Sequence, residues 1–161
     1  MISNKVVSLG AVFAMMIMAA GLAQASSHGG NHNKADALVM EREALMEGIG
    51  GSMGALACYL KEECKLEPKI AKRLAVGISA MAKPSIEAFR TPTPTASKKT
   101  TAIAKIWTDW DQFEEGLMSM STKAQGLAEA IKNGKMGDIK AAMGELGKNC
   151  KGCHDNFREK K

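Results

Sequence analysis

Very little of this chain is aromatic. Its 161 residues hold one Tyr, two Trp and four Phe, with four Pro and three His. No segment alternates polar and apolar residues with period two, so no strand is expected. Beyond residue 25 no apolar run is long enough to cross a bilayer. No block of one charge sign dominates either. The net charge of +5 is mild and evenly spread, which argues against a nucleic-acid partner. What remains is a helix-forming composition, with 12 Met among its apolar residues.

The N-terminus breaks the pattern. Residues 1–4 lead to a lone Lys5, residues 6–22 are almost wholly apolar, and Ala23-Gln24-Ala25 closes the stretch. That is the layout of a secretory signal peptide over 1–25, with an uncleaved anchor as the alternative. No Cys stands at the cleavage point, so no lipid anchor is expected. Residues 26–33 form a polar, Gly-rich flexible tail holding His28 and His32. These are solvated tail residues, with an adventitious metal site as the alternative. Residues 34–161 are the folded domain. An exported chain carries no membrane contact after its signal is removed, and its unmodified thiols pair in an oxidising space.

Four apolar stripes follow. Leu38, Leu45, Ile49, Met53, Leu56 and Leu60 mark the first, and Ile70, Leu74, Ile78 and Met81 the second. Pro84 stops or kinks helix two just before it. Residues 91–99, with two prolines and no apolar anchor, are a loop. Ile103, Ile106, Trp110, Phe113, Leu117, Met120, Ala124, Leu127 and Ile131 step by threes and fours, and Asn133-Gly134 supplies a left-handed cap. Met136, Ile139, Met143, Leu146, Cys150, Cys153 and Phe157 form the last stripe. An all-α, antiparallel four-helix bundle is the natural packing. Six aromatics in the domain are few for such a core, so a large flat group is expected to complete it.

Cys150-Lys151-Gly152-Cys153-His154 is C-x-x-C-H, the attachment motif of c-type haem. The two thiols form thioethers with the haem vinyl groups and the adjacent imidazole reaches the iron. Both Cys lie on the buried seam of helix four, and His154 is the one His outside the tail. One motif implies one covalent haem c. A thioredoxin-like site needs a strand before the motif, and a zinc site would need different spacing at Cys58 and Cys64. Neither fits.

The ending Gly147-Lys148-Asn149-Cys150-Lys151-Gly152-Cys153-His154-Asp155-Asn156-Phe157-Arg158 resembles the class II cytochromes c, the cytochrome c′ family. Ile106-Trp107-Thr108-Asp109 with Phe113 is similar to that family's third helix. Arg42-Glu43-Ala44-Leu45-Met46 is similar to its first-helix motif, and Ala80-Met81-Ala82-Lys83-Pro84 to the close of its second. The resemblance spans residues 35–161. It implies a four-helix bundle around one haem c in a bacterial periplasm, often as a homodimer.

The resemblance implies two branches. Six-coordinate members carry electrons with a Met sulfur on the iron, and five-coordinate members bind nitric oxide or carbon monoxide beside an apolar distal residue. Met46 matches the distal position and shares a helix face with Arg42, Ile49 and Met53. The expectation is therefore a six-coordinate His154/Met46 iron passing electrons to a redox partner protein, low-spin in character, with Arg42 at a haem propionate. Met53 or Met40 as the ligand, a solvated Arg42, and the five-coordinate gas binder are the alternatives. Without a nucleophile, base or oxyanion constellation, no enzymatic turnover is expected. Lys148, Lys151, Arg158, Lys160 and Lys161 either steer an acidic partner or form a solvated basic end. Phe157, Trp107 and Trp110 are read as packing residues.

Cys58 and Cys64 are spare, and a disulfide between them is expected. On a continuous helix their Cα atoms would lie about 9 Å apart, outside the roughly 4–7 Å that a disulfide allows. The helix must therefore end between them and the chain fold back, as the stop of the stripe at Leu60 permits.

Overall fold

A computed structural model describes residues 34–160. The signal and tail expected over residues 1–33 lie outside them. Six helices follow in order: α1 (Lys34–Leu60), α2 (Pro68–Ala80), α3 (Ala82–Arg90), α4 (Lys105–Thr108), α5 (Trp110–Asn133) and α6 (Met136–Phe157). α2 and α3 act as one bent rod, and α4 is a short turn before α5. The architecture is a four-helix bundle built from α1, α2–α3, α5 and α6.

Local chemistry sets each boundary. Pro68 opens α2, where a missing N–H costs nothing. Pro84 has no N–H for the carbonyl of Ala80, and the rod bends three residues earlier, at Met81. There the Met81 N–H is shared between Gly77 and Ile78 carbonyls at 3.1 and 3.2 Å. α5 ends on Gly134 at φ 76°, a left-handed position that glycine takes without steric cost. Beyond Leu60 the chain reverses through Glu62 at φ 59°, and the Glu63 N–H bonds the Cys58 carbonyl at 3.1 Å. That reversal brings Cys58 and Cys64 to a Cα separation of 5.6 Å, and the two are disulfide-bonded.

Two sequence expectations shift. The third helix was expected unbroken, yet it interrupts at Asp109, whose φ of −117° and ψ of 43° are not helical. Trp107, two residues earlier, donates its indole N–H to the Phe89 carbonyl at 2.8 Å, which ties α4 to α3. The inner face of α1 also differs. Asp36, Val39, Arg42, Ile49 and Leu56 are buried, whereas Leu38 and Leu45 are only half-buried. Two charged residues take inward positions because each holds the loop between α3 and α4. The Asp36 carboxylate accepts from Ser97 N–H at 2.7 Å, Ser97 hydroxyl at 2.6 Å and Lys98 N–H at 2.8 Å. Lys98 also pairs with Glu43 at 3.0 Å. The loop that has no apolar anchor thus has polar ones. Its far end pairs with the C-terminal segment: Ile103 N–H meets the Phe157 carbonyl at 3.2 Å, and Glu159 N–H the Thr101 carbonyl at 2.8 Å.

The core is densest between α2 and α5, where Ala71, Ala75, Ile78, Ala124 and Leu127 are shut from solvent. Ser79 and Ser121 hydroxyls meet there at 2.9 Å, so these polar groups do not interrupt it.

Candidate functional site

Cys150, Cys153 and His154 occupy the last two turns of α6, all half-buried, and neither Cys is in a disulfide. The last apolar stripe explains the placement. Ile139, Leu146 and Phe157 on the same face are buried, so the helix is held on either side of the motif. Between these anchors the packing opens. The three side chains line a cavity of about 400 Å³ bounded by α1, α5, α6 and residues 100–102 of the loop. Met46, Ile49, Gly50 and Met53 face it from α1, and Phe113, Leu117 and Met120 from α5.

α6 sits close to α5 at this level. Asn149 donates its amide to the Gly116 carbonyl at 3.0 Å, and a Cβ built on Gly116 would lie 3.6 Å from the Cys153 sulfur. One end of the cavity is closed by aromatic rings. Phe113 meets Phe157 edge-on at 5.4 Å and lies 5.0 Å from Phe89, with Trp110 at 5.7 Å. Five of the domain's six aromatics gather in this quarter, since Trp107 lies against Arg42 nearby. Phe157, Trp107 and Trp110 thus pack as expected.

The electrostatics suit a ligating imidazole. Burial, aided by the positive charge of Arg158, holds His154 below its usual pKa, while Asp155 opposes the shift. A neutral imidazole is the form that binds a metal. Burial raises the Cys150 thiol. It pushes Cys153 up to about 11.

Arg42 has partners within the fold. Its Nε donates to the Ala88 carbonyl at 2.8 Å, Nη1 to the Thr93 hydroxyl at 2.9 Å and Nη2 to the Thr91 carbonyl at 2.5 Å. The guanidinium also lies 5.1 Å from the Phe89 ring centre and 5.4 Å from that of Trp107. It borders the cavity, and these bonds also staple α1 to α3 and the loop after it. Met40 is 45% exposed and outside the cavity, which removes it as a ligand. Of the expected basic ring, Lys148 pairs with Glu145 at 2.7 Å and Lys151 with Asp155. Arg158 borders the cavity. Lys160 is exposed, and Lys161 lies outside the described residues. Met120 and the Thr100–Thr101 rim escaped the sequence reading. Met120 stood in the third stripe, where a core methionine and a cavity-lining one look alike.

A helical bundle with a C-x-x-C-H motif on its last helix, opening on an apolar cavity, defines a class II c-type cytochrome. The family described as Cytochrome C′ matches residues 37–158. A cytochrome c′ from Pararhodospirillum photometricum is 34% identical over 125 residues, covering 77% of this chain and 98% of that protein. A cytochrome c-556 from Agrobacterium fabrum is 35% identical over 124 residues, covering 76% and 82%. Among solved structures, cytochrome c′ from Shewanella frigidimarina superposes with a TM-score of 0.71 at 27% identity, over 80% of this chain and 98% of that one. The Rubrivivax gelatinosus protein gives 0.68 at 28%, over 80% and 99%. The chain belongs to the cytochrome c′ family and carries one covalently attached haem c.

Family membership corrects the expected function. The six-coordinate, low-spin His154/Met46 electron carrier is not supported, because the family is typically five-coordinate. The packing gives a physical reason why the sequence misled. Met46 is half-buried against the apolar core beside Met53, and Met120 lines the same cavity. Three flexible thioethers in one wall are what core filling produces, and nothing singles Met46 out as a ligand.

Proposed function

We propose that this chain is a periplasmic cytochrome c′ whose five-coordinate haem binds a small neutral gas, nitric oxide or carbon monoxide. In this reading Cys150 and Cys153 carry the thioethers and His154 is the proximal ligand. Haem c held there would supply an iron able to bind a diatomic gas.

The observation that carries the reading is the wall across the cavity from His154. Met46, Ile49 and Met53 on α1 and Leu117 and Met120 on α5 give the cavity an apolar stretch of hydrocarbon and thioether, while the charged Arg42, Glu43, Glu47 and Arg158 also border it. The apolar stretch offers no partner to a charged or strongly hydrated molecule, so an uncharged diatomic is the ligand that loses least on entering it. Each residue then has a physical task. Burial holds His154 below its usual pKa. Asn149 and Gly116 hold the helix carrying it against α5. Met46 serves as a bulky apolar blocker on the distal side. The family's relatives named cytochrome c′ support the same assignment.

The test is the optical spectrum of the reduced protein with and without carbon monoxide. A high-spin spectrum that shifts on adding the gas is expected. Low-spin bands in both oxidation states, indifferent to carbon monoxide, would overturn the proposal.

A further inference from the structure

The middle of α1, which forms the wall across from His154, is built from a poor helix sequence. Met46-Glu47-Gly48-Ile49-Gly50-Gly51-Ser52-Met53-Gly54 places four glycines within seven residues of an unbroken helix. Glycine is the weakest helix former after proline, because it loses the most backbone freedom. Close packing accounts for one of them: a Cβ on Gly48 would lie 3.4 Å from the Met81 methyl carbon. Gly50, Gly51 and Gly54 have nothing within 4 Å of such a Cβ, and all three are exposed. Packing therefore gives no reason for glycine at these positions. Ser52 weakens the helix further. Its hydroxyl donates to the Gly48 carbonyl one turn back at 2.9 Å, the back-bonding that tends to bend helices.

Both ends of α1 are fastened. At the N-terminal end Asp36 and Arg42 hold the loop through three hydrogen bonds each. At the other end Leu56 is buried and Cys58 is bonded to Cys64. A rod fixed at both ends cannot swing, so it yields by local opening where its sequence favours the helix least. That place is the glycine segment, and Gly50 lines the cavity with Met46 and Met53 to either side of it in sequence.

We propose that residues 48–54 of α1 form a gate, whose local opening moves Met46 and Met53 aside and admits the gas to the distal side. The proposal rests on the five-coordinate reading above. Its chemistry is steric: in the closed helix the thioethers fill the approach, and the entry rate follows the population of the opened segment.

Gly51→Ala with Gly54→Ala tests it in the haem-loaded protein. Both positions face solvent and leave the cavity lining unchanged, so any effect on entry acts through the helix. Each alanine stabilises the closed helix by a factor of about five. Hydrogen exchange of amides 48–54, read by NMR or mass spectrometry, should slow by about twenty-five-fold, the product of the two. The association rate of carbon monoxide with the reduced protein, read by flash photolysis or stopped flow, should fall by a similar factor, with the spectra of both forms unchanged. Slowed exchange with an unchanged association rate overturns the gate and leaves the five-coordinate reading intact. Wild-type amides 48–54 exchanging as slowly as those of residues 117–127 overturn it too. A reduced wild-type protein that takes up no carbon monoxide overturns the five-coordinate reading and the gate with it, and the exchange pattern then shows separately whether the segment is soft.

Discussion

The two sides of this bundle solve the same packing problem differently. Between α2 and α5 small and branched side chains close the gap: Ala71, Ala75, Ile78, Ala124 and Leu127 are each at most 1% exposed. Between α1 and α6 they do not. Met46, Met53, Cys150 and Cys153 stay half-buried around a cavity of about 400 Å³. The stripes that predict the helices run through both sides with the same period, so periodicity does not distinguish a closed seam from an open one. The difference lies in residue type. Alanine and isoleucine have few conformers and fill fixed space, whereas methionine, glycine and free cysteine leave room or react. One half of the core is made of side chains, and the other is completed by the covalent haem.

The sharpest way to break that contrast is to remove the attachment. Cys150→Ser with Cys153→Ser should abolish covalent haem altogether, seen as loss of haem staining on a denaturing gel. The α2–α5 side should keep its protection from hydrogen exchange while α1 and the end of α6 lose theirs. Equal loss on both sides would show that the halves are not independent.

The halves should also differ in their response to truncation. Leu127→Ala opens a cavity in a filled seam and should cost about 3 kcal/mol or more, whereas Met53→Ala enlarges one that exists and should cost about 1 kcal/mol. Urea unfolding of the holoprotein compares them. Arg42→Ala should fall close behind the first, at roughly 2–3 kcal/mol, because it leaves buried carbonyls without donors. It should also loosen the part of the loop that Arg42 holds, raising exchange at Thr91 and Thr93.

The smallest effect belongs to the solvent face of α6. Lys148 and, more weakly, Lys123 hold the Glu145 carboxyl below its usual range, yet the pair is exposed. A depressed carboxylate stabilises the fold above its ordinary pKa and loses that contribution as pH falls through the folded value. Glu145→Gln should therefore melt slightly below wild type at pH 7, and the two should converge as pH falls below the carboxylate range or as salt rises.

How much of this was legible beforehand depended on whether a residue's partners were local. α6 runs from Met136 to Phe157 as its stripe indicates, and Gly134 caps α5, because a repeat and a glycine act within a few residues. The haem motif was legible because its chemistry is contained in five consecutive residues. Asp36 and Arg42 were not read as loop anchors, since their partners lie 46 to 62 positions away. The break at Asp109 has no proline or glycine to announce it. Met46 was legible in position but not in role: one thioether serves equally as iron ligand or as wall, and the sequence writes both with the same letter.

The central claim is that Met46 is a wall, and one comparison tests it most directly: optical spectra of wild-type and Met46→Ala holoprotein, oxidised and reduced, recorded side by side. The account predicts the same high-spin bands in both proteins, with carbon monoxide binding faster to the variant because the distal blocker is gone. A low-spin wild-type spectrum that turns high-spin on substitution would contradict it.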